Sequence, residues 1–119
     1  MMSTSFGNFV RTAREELNAQ TGEHSLRKVA ARIAVGAAYL SQVERDAGSP
    51  PTEKTIVALA GDLRQDPNVM LAMAGRVSSE LQAIILQRPQ LFAEMLAACK
   101  NMPDNAILKL VREVRDGDW

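Results

Sequence analysis

Few side chains in this sequence can do covalent or metal chemistry. Cysteine and histidine each occur once, as Cys99 and His24. A single cysteine forms no intrachain disulfide and no thiolate cluster. A single histidine removes most metal sites and most designs in which an imidazole activates a nucleophile. Glu15 and Glu16 are adjacent, and neighbours on a helix do not converge on one point. No Ser/His/Asp, Cys/His or glycine-rich phosphate-loop arrangement is present. The expectation is a non-enzymatic protein that acts by binding, with no catalytic residue, no metal and no cofactor.

The 119 residues carry 14 basic and 14 acidic side chains, so the formal net charge is zero. That argues against a polybasic coat for nucleic acid or membrane and leaves room for a local patch. Residues 1–64 hold eight Lys/Arg against seven Asp/Glu, and residues 65–119 hold six against seven. Any electrostatic argument must therefore rest on position and not on totals. Apolar residues at 46% and charged residues at 24% suit a globular chain. The apolar runs are short, AIIL at 83–86 among the longest, so no membrane span is expected. Arg11 falls where the apolar stretch of an export signal would need to be, and the single cysteine suits a reducing compartment. A cytoplasmic location is the expectation.

Helical spacing runs through the whole chain, giving an all-α fold class. Phe6, Phe9, Val10, Ala13 and Leu17 share one helix face. Gly22 ends that segment. Ser25 caps a short second helix with Leu26, Val29, Ala30 and Ile33 inward. A third helix begins at Ala37 and turns Leu40 and Val43 inward. DAGSPP at 46–51 is turn chemistry. Thr52 caps a fourth helix with Ile56, Leu59, Ala60 and Leu63 inside. Four more short helices follow. They start at Asp66-Pro67, Ser78, Pro89 and Pro103. Their inner positions are expected to include Leu81, Ile84 and Ile85, then Phe92, Met95, Leu96 and Cys99, then Ile107, Leu108, Val111 and Val114. Met70, Met73, Met95 and Met102 are read as core filler, and His24 as an ordinary loop residue. The expected division is a domain at 1–65 and a C-terminal helical region at 66–119.

The informative segment is LRKVAARIAVGAAYLSQV at 26–43. Two short helices meet there with a tight turn at 34–36. Ala30 supplies the small residue such a corner needs where helices cross. Val29, Ile33, Val35, Leu40 and Val43 supply the apolar side. With Arg14 before it and Glu44 after it, read as a structural ion pair, the pattern resembles the Xre/Cro/phage-repressor family of helix-turn-helix DNA-binding domains. AAYLSQVER at 37–45 and SPPTEKTIVALAGDL at 49–63 are similar to that family's recognition helix, loop and fourth helix. The resemblance covers roughly residues 6–64. This chain has Ala34 where the family usually has a turn glycine, Gly36 where it has a Ser/Thr cap, and Asp46 where it has a glycine after the recognition helix. A left-handed backbone at Ala34 would cost about 1–2 kcal/mol. The loop NAQTGEH at 18–24 is longer than is typical of the family.

The resemblance implies a lambda-repressor-like domain that binds double-stranded DNA and regulates transcription, as a dimeric repressor. The helix at 37–45 would enter the major groove. Its outward positions Ala37, Ala38, Ser41, Gln42 and Arg45 would meet base edges. Glutamine pairs bidentately with adenine, and alanine touches thymine methyls. With so few polar readers, part of the specificity is expected from DNA shape. Phosphates would be held by Ser25, Arg27 and Lys28 at the start of the second helix, by Tyr39, and by Arg45, Ser49, Thr52 and Lys54 on the other side.

The apolar positions of the second half, Leu86, Leu91, Phe92, Leu108 and Leu110 among them, exceed one stripe per helix. A homodimer surface is expected there. The alternative is an antitoxin-type module whose residues 66–119 bind a partner protein. Trp119 is either frayed or docked on a partner chain.

Overall fold

The computed structural model describes residues 4–117. Among them every regular element is helical: α1 (Phe6–Thr21), α2 (Leu26–Arg32), α3 (Ala37–Glu44), α4 (Glu53–Asp62), α5 (Pro67–Met73), α6 (Ser79–Gln87), α7 (Pro89–Ala98), a 3₁₀ turn (Cys99–Asn101) and α8 (Asp104–Asp116). The fold is all-α. No helix among the described residues is long and apolar enough to cross a membrane. Trp119 lies outside the described residues.

Local chemistry sets the helix boundaries. The Ser5, Ser25 and Thr52 hydroxyls accept from the N–H groups of Asn8, Lys28 and Thr55, at the starts of α1, α2 and α4. Asp66 does the same for Asn68 and Val69 at the start of α5, where Pro67 takes the first helical position. Each cap satisfies one or two of the N–H groups a helix start leaves without a partner. The helix α1 runs on through Thr21, so residues 18–21 of the expected loop form its last turn, and Gly22 ends it at φ 68°.

Four helices then end in one way. Val35 N–H donates to Ala30 O, Ala47 to Gln42 O, Gln65 to Ala60 O and Arg76 to Leu71 O. Each bond closes over a left-handed residue: Ala34 (φ 60°), Asp46 (φ 56°), Arg64 (φ 57°) and Gly75 (φ 78°). This is the Schellman ending. Only Gly75 is the residue that adopts it without strain.

The chain divides into two compact units, Met1–Leu81 and Gln82–Trp119. In the first, α1 and α2 pack on α3, α2 on α4, and α4 on α5. The core is Val10 and Leu17 of α1, Val29 and Ala30 of α2, Leu40 and Val43 of α3, Ile56, Leu59 and Ala60 of α4 with Leu63 after it, and Met70 and Leu71 of α5. The boundary expected at 65–66 falls inside this unit. Met70 and Leu71 are fully buried, so α5 belongs to the first core and is no part of a separate C-terminal body.

The second unit holds the end of α6, α7, the 3₁₀ turn and α8. No residue between 82 and 117 is buried. Leu81, Ile84, Met95, Leu96, Leu108, Val111 and Val114, all expected inside, are exposed. Of the methionines, Met70 is core, Met73 and Met102 are half-buried, and Met95 is exposed.

Candidate nucleic-acid interface

The eight residues of α3 give it two functional sides. Leu40 and Val43 point into the core. Ala38, Gln42 and Arg45 recur at i, i+4 and i+7 and are exposed, with half-buried Ser41 beside them. These positions share a face because a helix turns 100° per residue. Ala37 lies off that face and packs in part against the core.

Two contacts fasten the far side of α3 to α1. Arg14 donates to Glu44 in a fork, from Nε to Oε2 at 2.6 Å and from Nη2 to Oε1 at 3.0 Å. Its third nitrogen, Nη1, donates to the His24 carbonyl at 3.2 Å. Both side chains are nearly buried, and fork-on-fork geometry fixes orientation as well as distance. The pair expected from the sequence is therefore a structural one. Two turns earlier on α1, Gly7 N–H donates to Asp46 Oδ1 at 2.7 Å. A Cβ on Gly7 would stand 2.5 Å from Val43 O and 2.7 Å from Glu44 O. Glycine lets the start of α1 lie directly on the end of α3.

His24 differs from its expected place as an ordinary loop residue. It is buried. Its Nε2 donates to Asp62 O at 3.1 Å, its Nδ1 lies 2.9 Å from Thr21 Oγ1, and its backbone N–H donates to Asn18 Oδ1. It ties the turn before α2 to α1 and to the end of α4. Histidine beside Gly22 gives no sequence pattern for this. The pair Arg32 and Asp62 brings α2 to the same end of α4, with bonds of 2.6 and 3.0 Å. That bond raises the Arg32 guanidinium above its ordinary value.

The residues expected to hold phosphates are spread over three elements and a loop. Ser25 caps α2, and its Oγ takes the Lys28 N–H. Lys28 Nζ donates to Gly22 O at 2.9 Å and lies 3.4 Å from Glu23. Arg27 and Lys54 are exposed. Tyr39 is exposed on α3. Thr52 caps α4 and also donates to Thr55 Oγ1. Ser49 borders a cleft of about 310 Å³ lined by Phe6, Val43, Met73 and Ala74 among others. Among the described residues no side-chain hydrogen bond joins the α3 set to the residues on α2 and α4.

Charge placement matters more than its sum. The carboxylates near α3 are engaged: Glu44 by Arg14, Asp46 by the Gly7 N–H, and Glu53 by Ser79, whose N–H and hydroxyl donate at 3.0 and 2.7 Å. Arg45 enters no ion pair among the described residues. Away from this region, Arg11 pairs with Glu15 one turn along α1. That hydrogen bond holds the exposed Glu15 carboxyl below its ordinary range. Among the described residues no group of three or more His, Cys, Asp or Glu side chains could hold a metal ion.

No protein-family model, curated protein or solved structure matches this chain.

Proposed function

We propose that this chain is a sequence-specific double-stranded DNA-binding regulator of transcription, a repressor acting as a dimer in the cytoplasm. In this reading α2, the turn at 33–36 and α3 form a helix-turn-helix of the lambda-repressor type. The observation that carries it is the exposed row Ala38, Gln42 and Arg45 on a helix whose opposite side is fastened to α1. A short helix held rigidly, with a polar reader, methyl groups and a free cation along one side, suits the major groove. The ion pair of Glu44 with Arg14 lowers the repulsion that a phosphate backbone would meet at the end of α3.

In this reading Gln42 reads adenine, Ala38 touches a thymine methyl, and Arg45 works with Arg27, Lys54, Tyr39, Ser49 and Thr52 on the backbone. Lys28 is partly taken up by Gly22 O and Glu23, so it contributes less than Arg27. Selection of bound duplex from a random pool tests the proposal. The expected product is an inverted repeat with half-sites about 34 Å apart and an affinity that falls steeply with salt. A pool that returns no enriched sequence sinks it.

A further inference from the structure

The second unit lacks what a segment of its size needs to stand alone. Gln82–Trp119 is a 38-residue stretch. Below about 40 residues a folded segment usually depends on disulfides, a metal or association. Cys99 is the chain's single cysteine, and no metal-holding group exists among the described residues. None of residues 82–117 is buried. An exposed apolar surface without a buried core of its own suits association, and α8 indicates with what.

On α8 the residues Asp104, Leu108, Val111 and Arg115 recur at i, i+4, i+7 and i+11. That is the seam spacing of paired helices. Leu108 and Val111 are each 48% exposed, and Asp104 and Arg115 are exposed at the two ends. Beside the seam runs an almost wholly apolar groove of about 440 Å³, lined by Met95 of α7 and by Leu110, Val111, Val114 and Arg115. Read from its N-terminus, the seam is acid, apolar, apolar, base. Two copies laid parallel would set acid on acid and base on base. Two copies laid antiparallel set acid on base at both ends and apolar on apolar between them. A seam that complements itself when reversed fits a second copy of this chain. An unrelated partner would not require it.

We propose that α8 pairs antiparallel with α8 of a second copy, Asp104 of each facing Arg115 of the other, with Leu108 and Val111 interleaved at the centre. This rests on the dimer in the reading above and names its interface, but needs no DNA. The arrangement is isologous and closes on itself. Residues 82–119 carry five basic and five acidic side chains, so two copies meet without net repulsion. Arg115 lies 3.0 and 3.2 Å from Asp116. That pair is exposed, and exchanging it for a bond across the seam costs little.

Sedimentation of the full chain without DNA tests the pairing, with circular dichroism to follow helix content. The parent is expected to be a dimer at micromolar concentration. Asp104→Arg and Arg115→Asp should each weaken self-association at least about tenfold, because like charges then meet at both ends. An equal mixture of the two variants should associate again, since one now carries two bases at these positions and the other two acids. Loss of a favourable helix-end charge would persist in the mixture, so restored association separates pairing from helix damage. A monomeric parent, variants that dimerise like the parent, or a mixture that stays monomeric overturns the proposal. So does a monomeric parent that instead binds an unrelated protein through α8. If the charge variants behave as expected while duplex selection enriches nothing, the seam stands and the DNA reading alone falls.

Discussion

Asp46 caps the start of α1 from 39 residues further along the chain, by accepting the Gly7 N–H at 2.7 Å. Gly7 lies in the first turn of α1, where N–H groups have no intrahelical partner. Asp46 does this from a left-handed backbone at φ 56°, which aspartate tolerates better than most residues. Asp46→Ala should lower the free energy of unfolding by about 1–2 kcal/mol, through the lost cap. Asp46→Gly should cost less, because it relaxes the backbone while losing the same bond. Gly7→Ala should cost about 1–3 kcal/mol, because two backbone carbonyls stand within 2.7 Å of the new methyl. Urea unfolding of the three variants gives the ranking. A Gly7→Ala protein as stable as the parent would mean that α1 and α3 are not held at this distance.

The Arg14–Glu44 fork is nearly buried on both sides. Removing one member leaves the other charge without its partner. Arg14→Ala or Glu44→Ala should each cost about 3–5 kcal/mol. Replacing both with methionine should cost less than either single methionine change, since no lone charge remains. A double-mutant cycle by chemical denaturation measures this coupling. Simply additive losses would show that the pair contributes no mutual stabilisation.

Much of this was legible in the residues. Ser25, Thr52 and Asp66 cap the helices their types foretold, because a short side-chain acceptor before an apolar repeat has few other uses. The inner faces of α1 to α4 followed from spacing, while the Arg14–Glu44 pair was expected only from the family resemblance. Three features were hidden. His24 is buried through contacts to Asn18 and Asp62, and no local pattern encodes a bond 38 residues away. Met70 and Leu71 join the first core, since periodicity marks an apolar face without naming what covers it. For the same reason Leu108 and Val111 read as interior and are exposed. Among the expected interface residues, Ala38, Gln42 and Arg45 share a face, and Ala37 turns partly inward. The resemblance alone had grouped all of them.

Ala34 holds the turn between α2 and α3 at φ 60°, with Val35 N–H bonded back to Ala30 O. Alanine pays about 1–2 kcal/mol for this conformation. Glycine would relieve that strain but lose about 0.5–1 kcal/mol in chain entropy. Ala34→Gly should therefore stabilise the protein by between about 0 and 1.5 kcal/mol. Ala34→Val should destabilise it, because a β-branched side chain fits a left-handed backbone poorly. Thermal unfolding of both variants against the parent gives the two signs. Destabilisation by Ala34→Gly would mean that the Ala34 methyl makes a packing contact outweighing the backbone strain.

Gln42 and Arg45 stand on one exposed side of α3, less than a turn apart, yet their substitutions should have different signatures. A glutamine that pairs with adenine carries sequence information. Gln42→Ala should therefore cost about 1–3 kcal/mol on the selected duplex and relax the preference at a single base pair. Arg45 caps the end of α3 and offers a charge to phosphate. Arg45→Ala should weaken every duplex alike and reduce the slope of log affinity against log salt by about one. Titration of both variants against matched and single-mismatch duplexes at several salt concentrations separates the two roles. If Gln42→Ala keeps the parent's ranking of duplexes, the exposed side of α3 does not read bases. If Arg45→Ala keeps the parent's salt slope, Arg45 meets no phosphate.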